Sequence, residues 1–193
     1  MKKRLTITFV LSLCLVIAGQ SVFAQQVDTA DTQMVLPSVS PTVSITPTPA
    51  YVMVYPGLLP DSPLYTLKAM RDRLISLLIG DALKKAEFDL LQSDKRVGST
   101  VLLLHTKKKE KQLLAISTFS KGLNYFDEST QKVREAKEQG ESIAAMKSHL
   151  QNAGAAYINM LEGEEKTLSK DIKAQLNAQL DRLSKLLSTV DQL

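Results

Sequence analysis

Residues 172–190 read IKAQLNAQLDRLSKLLSTV, and this stretch decides the fold class. Its apolar side chains return at every third or fourth position, at Ile172, Leu176, Leu180, Leu183, Leu187 and Val190. That spacing places them on one side of an α-helix, whereas a half-buried strand would alternate at every second residue. The stretch therefore predicts an amphipathic helix that buries one face.

Four similar stripes precede this one in a block without proline, which runs from residue 64 to residue 193. They begin at Leu64, Leu83, Leu113 and Ile143, and the second has the heptad-like spacing of coiled coils. A proline-free run rich in Leu, Ala, Lys, Glu and Gln suits long helices. We therefore expect an all-α fold, an elongated antiparallel bundle of four to five helices in which sequential helices are neighbours.

The first of these stripes has a clear start signal. Ser62 is a candidate N-cap, and Pro63 would take the first helical position, where its missing N–H costs nothing. Because leucine at helical spacing is core far more often than a membrane-binding face, this stripe is expected to face the core. Its members are Leu64, Leu67, Met70, Leu74, Leu77 and Leu78.

All seven prolines lie between residues 37 and 63, and serine and threonine fill the spaces between those at 37–49. Such a stretch has too little apolar surface to offset its ordering entropy. We therefore expect a disordered linker at residues 25–55 and a helical domain at 56–193. A plain spacer is favoured over a glycosylated stalk or a partner-binding proline motif. Residues 51–55 read YVMVY and either form a short strand or lie against the domain.

Residues 1–24 have the three parts of an export signal. Lys2, Lys3 and Arg4 form a positive start, residues 5–19 form an apolar run, and small residues lead to a cut between Ala24 and Gln25. The run is shorter than the roughly 20 residues that span a bilayer. We expect an exported, extracytoplasmic or secreted protein. An uncleaved N-terminal anchor is the alternative, and lipidation at Cys14 is a third, less favoured one.

Composition excludes several classes of protein. The chain has 24 Lys and Arg against 20 Asp and Glu, and cleavage would remove three of the basic residues, so the processed chain is close to neutral. We therefore expect no nucleic-acid partner. The only cysteine is Cys14, which cleavage also removes, so no disulfide or zinc–thiolate site is expected. No catalytic, phosphate-binding or metal-ligating motif is recognisable, and we expect neither an enzyme nor a cofactor.

One dense group of basic residues interrupts the helical block. It consists of Lys107, Lys108, Lys109 and Lys111, hereafter the lysine cluster, with Glu110 as its only acidic neighbour. The functional interpretation is contact with an anionic membrane or a phosphate-bearing wall polymer. The plainer interpretation, a solvated turn that keeps the protein soluble, is favoured.

Residues 58–68 read LLPDSPLYTLK, and residues 85–96 read KAEFDLLQSDKR. Both phrases resemble a bacterial family known only as domain of unknown function 5667, over about residues 55–134. Gly98 is less expected there. The resemblance implies a helical domain on exported or membrane-tethered proteins and implies no activity. We expect the first phrase to be structural, and a recognition site for a partner at its Leu-Leu-Pro segment is the alternative. Its motif residues are Leu59, Pro60, Asp61, Ser62, Pro63, Leu64, Tyr65, Leu67 and Lys68.

These features favour a non-enzymatic, extracytoplasmic helical module that acts through protein contacts or as an envelope component. Its partner is expected to be a protein or an envelope constituent, with membrane contact allowed but not required. A helical chaperone or stress sensor is one alternative, which would show an apolar surface larger than a few hundred Å². A binder of anionic membrane or wall polymer through the lysine cluster is the other.

Overall fold

The computed structural model describes residues 51–164 and 168–193, which contain five α-helices and no strand. The all-α prediction is therefore confirmed for this part of the chain. The predicted signal, its cleavage position between Ala24 and Gln25, and the linker up to residue 50 lie outside the described residues. The helices are α1 (Tyr65–Leu78), α2 (Ala82–Leu104), α3 (Lys109–Glu138), α4 (Ala144–Glu164) and α5 (Lys170–Asp191).

Local sequence signals set several helix ends. The Asp81 side chain accepts a 2.8 Å hydrogen bond from the backbone N–H of Lys84, which caps α2. After α3, Gly140 takes a left-handed conformation with φ of 83°. The N–H of Gly140 then reaches the Lys137 carbonyl at 3.0 Å, and the N–H of Glu141 reaches the Ala136 carbonyl at 3.0 Å. This Schellman motif ends α3 because glycine adopts that conformation without a steric penalty.

Helices α2 and α3 form an antiparallel hairpin. The Ser129 hydroxyl donates to the Ala86 carbonyl at 2.8 Å, and the Thr100 hydroxyl donates to the Ala115 carbonyl at 3.3 Å. The residue numbers of these pairs run in opposite directions along the two helices. Helices α4 and α5 form a second antiparallel hairpin.

The order of helices around the bundle differs from the expected sequential one. Helix α3 lies beside α5 and α4 lies beside α2, while the consecutive helices α3 and α4 lie diagonally across the bundle. One contact joins the non-consecutive helices α2 and α4, and another brings the consecutive helices α4 and α5 close together. The Tyr157 hydroxyl donates a 2.5 Å hydrogen bond to Asp94, which holds α4 against α2. Gly154 has no side chain, so Leu187 of α5 approaches the backbone of α4 closely.

The core sits between α2, α3, α4 and α5, as the four later stripes predict. Its aromatic centre is an edge-to-face pair, Phe126 and Tyr157, whose ring centroids are 6.1 Å apart. Among stripe members only Leu113 is more than a third exposed in these four helices. The fully buried large side chains include Phe119, Leu123, Leu150, Leu161, Ile172, Leu176 and Leu183.

The segment before α1 is packed against the bundle and is not a strand. Tyr51 and Met53 lie against the core cluster, and Pro56 is buried. Of the two interpretations of residues 51–55, the structure supports the one in which they lie against the domain. The packed part of the chain therefore begins before the predicted boundary at residue 56.

Candidate docking surface

Helix α1 turns its polar side toward the bundle. Asp72 is only 7% exposed, and the other residues of this inner side are half-buried: Tyr65, Lys68, Ala69 and Ser76. These positions are three or four residues apart, so they share one face of the helix. The inner face of α1 is therefore built from hydroxyl, amino and carboxyl groups, where the other four helices use leucine and phenylalanine.

Polar and cation–π contacts hold this inner face in place. The guanidinium of Arg96 lies 4.8 Å from the centroid of the Tyr65 ring. The amino group of Lys85 donates to the Ser76 hydroxyl. The amino group of Lys68 donates to the Pro56 carbonyl at 3.0 Å. Helix α1 is thus held by long polar side chains of α2 and by the preceding segment.

The apolar stripe of α1 points outward, which contradicts the expectation that it faces the core. Leu67 is 63% exposed, Leu74 is 57% exposed and Leu78 is 85% exposed. Leu64, Met70 and Leu77 are also more than half exposed. The physical reason is that Tyr65 and Ser76 lie on the opposite face. They contact Arg96 and Lys85 of α2, so the polar side of α1 faces α2.

This orientation leaves polar atoms unsatisfied. One oxygen of Asp72 forms an ion pair with Arg71 at 2.6 Å, but the other oxygen is buried without a hydrogen-bond partner. The buried Tyr65 hydroxyl also has none. Each such group costs free energy that an apolar inner face would avoid. Folded proteins normally bury leucines and pair their buried polar atoms. Departures from this pattern occur mainly at functional sites.

A groove of about 740 Å³ runs between α1 and the segment that precedes it. Every charged side chain that lines it is basic, namely Lys68, Arg71 and Lys95. Its apolar lining includes Tyr55, Leu58, Leu64, Leu67, Met70 and Leu74. An apolar floor with a basic rim is suited to a ligand with an apolar part and negative charge.

The start of α1 differs from the predicted one. Ser62 does not cap the helix, because the helix begins later, after Leu64, whose side chain makes no capping bond. The Ser62 carbonyl instead accepts a 3.0 Å bond from the N–H of Tyr65, and the Ser62 N–H donates to the Leu59 carbonyl at 3.0 Å. Two tight turns thus occupy residues 59–65, and they place the Ser62 hydroxyl ahead of the helix.

Two candidate sites that are distant in the sequence meet in the structure. Lys111 of the lysine cluster forms a 2.9 Å ion pair with Asp61 of the family motif. Its hydrogen bond holds the pKa of the exposed Asp61 carboxyl below the usual value. The three remaining members of the lysine cluster are exposed, at Lys107, Lys108 and Lys109. The lysine cluster therefore lies beside the beginning of α1.

The rest of the family motif is divided between contact and exposure. Leu59 and Pro60 are half-buried, while Pro63 is exposed. Leu64 and Leu67 belong to the outward face of α1, and Leu58, next to the motif, is 43% exposed. The structural role expected for the motif therefore applies to its turn residues and to its inner-facing side chains, and its leucines on α1 remain accessible.

A buried carboxylate that sequence reasoning missed fixes one wall of the groove. The Tyr51 hydroxyl donates to Asp94 at 3.0 Å and the Tyr157 hydroxyl donates at 2.5 Å, and the N–H of Val54 also bonds to this carboxylate. Asp94 therefore ties the segment at residues 51–56 to α2 and α4. Its sequence signal is an aspartate between Leu90 and Val97, inside an otherwise apolar stripe.

The environment of Asp94 favours a structural over a catalytic role. Burial raises its pKa above the ordinary aspartate value, although both tyrosine hydroxyls oppose that rise. Burial and then the charge of Asp94 raise the pKa of Tyr51 and of Tyr157. Asp94 is only 3% exposed and accepts three hydrogen bonds from the chain itself, as a structural carboxylate does.

Within residues 51–164 and 168–193, no group of three or more His, Cys, Asp or Glu side chains could hold a metal ion. None of the described helices combines the length and the apolar character that crossing a membrane requires. The chain matches no protein-family model, no curated protein and no solved structure. The family resemblance of residues 58–68 therefore stays a prediction.

Proposed function

We propose that this protein is an exported, non-enzymatic helical module that acts by docking another molecule onto the outward apolar face of α1. In this proposal the bundle of α2–α5 is a rigid support, and the motif at residues 58–68 presents the helix. The same motif supports, as a further proposal, membership of the helical family that it resembles. The proposed setting is the cell envelope, which the predicted export signal supports.

The orientation of α1 carries the proposal. An amphipathic helix normally buries its leucines, because each buried leucine contributes about 1.5–3 kcal/mol to the stability of the fold. Here Leu67, Met70 and Leu74 stay exposed, and the buried Asp72 has an unpartnered oxygen on the other side. An exposed apolar face of this kind marks an interaction site in a folded protein.

The test is site-specific photo-crosslinking in intact cells that export the chain. A photoreactive side chain at Leu74 should give covalent adducts, because this position would lie against the docked molecule. The matched control is Asn177, an exposed position of α5 on the opposite side of the bundle from α2. Equal adduct formation at both positions, or none at Leu74, would refute docking on α1.

The groove beside α1 also favours a second candidate, a helical chaperone. Its apolar lining and volume of about 740 Å³ accommodate a short apolar segment of an unfolded client. A chaperone of this kind should delay the aggregation of a thermally unfolded client, and Leu67→Ser should abolish the delay. If the client aggregates at the same rate with and without the protein, this candidate is eliminated.

A further inference from the structure

The outward side of α1 is a continuous apolar arc. At about 100° per residue, the apolar positions Leu67, Met70, Leu74, Leu77 and Leu78 cover an arc of about 100°. The arc is centred opposite the inner face that packs on the bundle. The arc is therefore exposed with α1 in the position that the structure describes.

The charges that border the arc have one sign. Arg73 lies along one edge and Arg71 along the other, with Lys68 beyond it. The single acidic residue of α1 is Asp72, which is buried on the opposite side and forms the 2.6 Å ion pair with Arg71. The lysine cluster adds positive charge near the beginning of α1, where Lys111 pairs with Asp61 at 2.9 Å. The arc is therefore apolar in the middle and basic on both sides.

This charge pattern discriminates between occupants. A second copy of α1 laid on the arc would bring the arginines of both helices together, and no exposed carboxylate of α1 could pair with them. A basic partner is disfavoured for the same reason. The complementary partner combines an apolar layer with negative charge, which describes the surface of a bilayer that contains anionic lipid.

The extent of the exposed surface favours a bilayer over an inserted acidic peptide. A peptide in the groove would cover Leu67, Met70 and Leu74, but Leu77 and Leu78 lie outside the groove. These two leucines are 76% and 85% exposed, the latter being the most exposed apolar side chain of α1. A flat lipid interface covers the whole arc, whereas the groove covers only part of it.

We propose that α1 lies in the headgroup region of an anionic bilayer, with its leucines among the acyl chains and Arg73 on a lipid phosphate. With 14 residues the helix is about 21 Å long, which is shorter than the roughly 30 Å of a bilayer core. It therefore lies in the membrane plane. This inference rests on the proposed docking function of α1, and it names the docked molecule.

The chain contains no tryptophan, so a single introduced tryptophan reports on its own position. In the full chain, Leu74→Trp should show emission at shorter wavelength when vesicles of equal parts phosphatidylglycerol and phosphatidylcholine are added. Lipids brominated on the acyl chains should quench it. Asn177→Trp is the matched control and should respond to neither. Because both variants carry the same residues 1–50, membrane binding elsewhere in the chain affects them equally.

The basic border provides a second readout. Arg73 is exposed, so Arg73→Gln should leave folding intact. In the Leu74→Trp background it should weaken vesicle binding about fivefold, the effect of one basic residue near an anionic surface. Ionic strength of about 1 M, where the Debye length is about 3 Å, should weaken binding further.

Three outcomes would overturn the inference. The first is no emission shift for Leu74→Trp when its melting temperature equals that of the parent chain. The second is an equal shift on vesicles of phosphatidylcholine alone. The third is a shift that grows with protein concentration in the absence of lipid, which would identify a second copy as the occupant. Crosslinking of Leu74 to a protein in cells, without a vesicle response, would leave the docking function standing and reject the bilayer.

Discussion

Helices α1 and α5 have nearly the same apolar spacing and use it in opposite ways. In α5, Ile172, Leu176 and Leu183 are fully buried, whereas in α1 Leu67 and Leu74 are more than half exposed. The difference lies in the other face of each helix. On the other face of α1, the Tyr65 ring and the Ser76 hydroxyl contact Arg96 and Lys85 of α2. Apolar spacing therefore predicts that a helix forms and which residues share a side, but the polar contacts decide which side faces the bundle.

The two regions should also differ in their stability. Helix α5 is held by buried apolar side chains, each worth about 1.5–3 kcal/mol. Helix α1 is held by contacts such as Arg96 over Tyr65, and such partly exposed cation–π pairs contribute about 0.5–1 kcal/mol. We therefore expect α1 to open locally at a lower free energy than the bundle. The predictions below test this contrast in order of decreasing effect.

The largest effect should come from truncating a buried leucine. Leu176 is fully buried, so Leu176→Ala should lower the free energy of unfolding by about 3 kcal/mol. The matched variant in α1 is Leu74→Ala, which should change it by less than about 0.5 kcal/mol. Chemical denaturation of both variants checks the contrast. Similar losses in the two would mean that the stripe of α1 is packed.

Two glycines of α4 should respond in opposite directions. A Cβ added at Gly154 would lie 2.4 Å from Leu187, so Gly154→Ala should destabilise the fold by about 1 kcal/mol or more. Gly163 has no neighbour within 4 Å, and Gly163→Ala should stabilise by up to about 1 kcal/mol through the unfolded chain and helix propensity. Thermal melts of the two variants test the close approach of α4 and α5. A Gly154→Ala variant as stable as the parent chain would contradict it.

The helix starts of α1 and α2 provide a smaller contrast. Asp81 caps α2, so Asp81→Ala should cost about 1 kcal/mol. Ser62 caps nothing, so Ser62→Ala should stay within about 0.5 kcal/mol. If both variants lower the free energy of unfolding by about 1 kcal/mol, Ser62 caps α1 as the sequence predicts.

The smallest effect is a pH dependence within the bundle. Burial raises the pKa of Asp94, and the pKa of Asp89 moves in the same direction for the same reason. The folded state then takes up protons before the unfolded state as the pH falls. The free energy of unfolding should therefore be largest near pH 3.8, the ordinary aspartate pKa. It should decrease as the pH increases through the raised pKa of the folded state.

The matched variant for this dependence is Asp94→Asn. It keeps an oxygen that accepts from Tyr51 and Tyr157 and removes the titrating group. Unfolding free energies of the parent and the variant across this range should converge at the acidic end. An unchanged slope in the variant would show that Asp94 does not contribute to it.

Much of the bundle could be predicted from the sequence because its helices follow the simplest rule. Leu150, Phe126 and Leu183 are buried where their stripes place them. The order of the helices could not be predicted, because it depends on Asp94 and Tyr157, which are 63 residues apart. An aspartate in an apolar stripe signals a buried polar contact, but the stripe does not identify the partner.

The outward orientation of α1 could not be predicted, because its residues fit two interpretations equally well. The stripe that contains Leu67 and Leu74 has the spacing of a core face. Tyr65, Asp72 and Ser76 on the other side resemble a solvated face. Their true partners, Arg96 and Lys85, lie in the next helix, and nothing in the local pattern of α1 points to them. The contact between Asp61 and Lys111 could not be predicted for the same reason, because the two residues are 50 positions apart in the sequence.

The central claim is that the apolar face of α1 points outward, and thiol accessibility tests it most directly. In a chain with Cys14 replaced by serine, Leu74→Cys and Leu183→Cys each provide a single thiol. A water-soluble maleimide should modify the thiol at residue 74 at nearly the rate of the unfolded chain. The thiol at the buried residue 183 should react at least about a hundredfold more slowly, since it reacts only through opening of the bundle. Equal protection of both thiols in the folded chain would contradict the account.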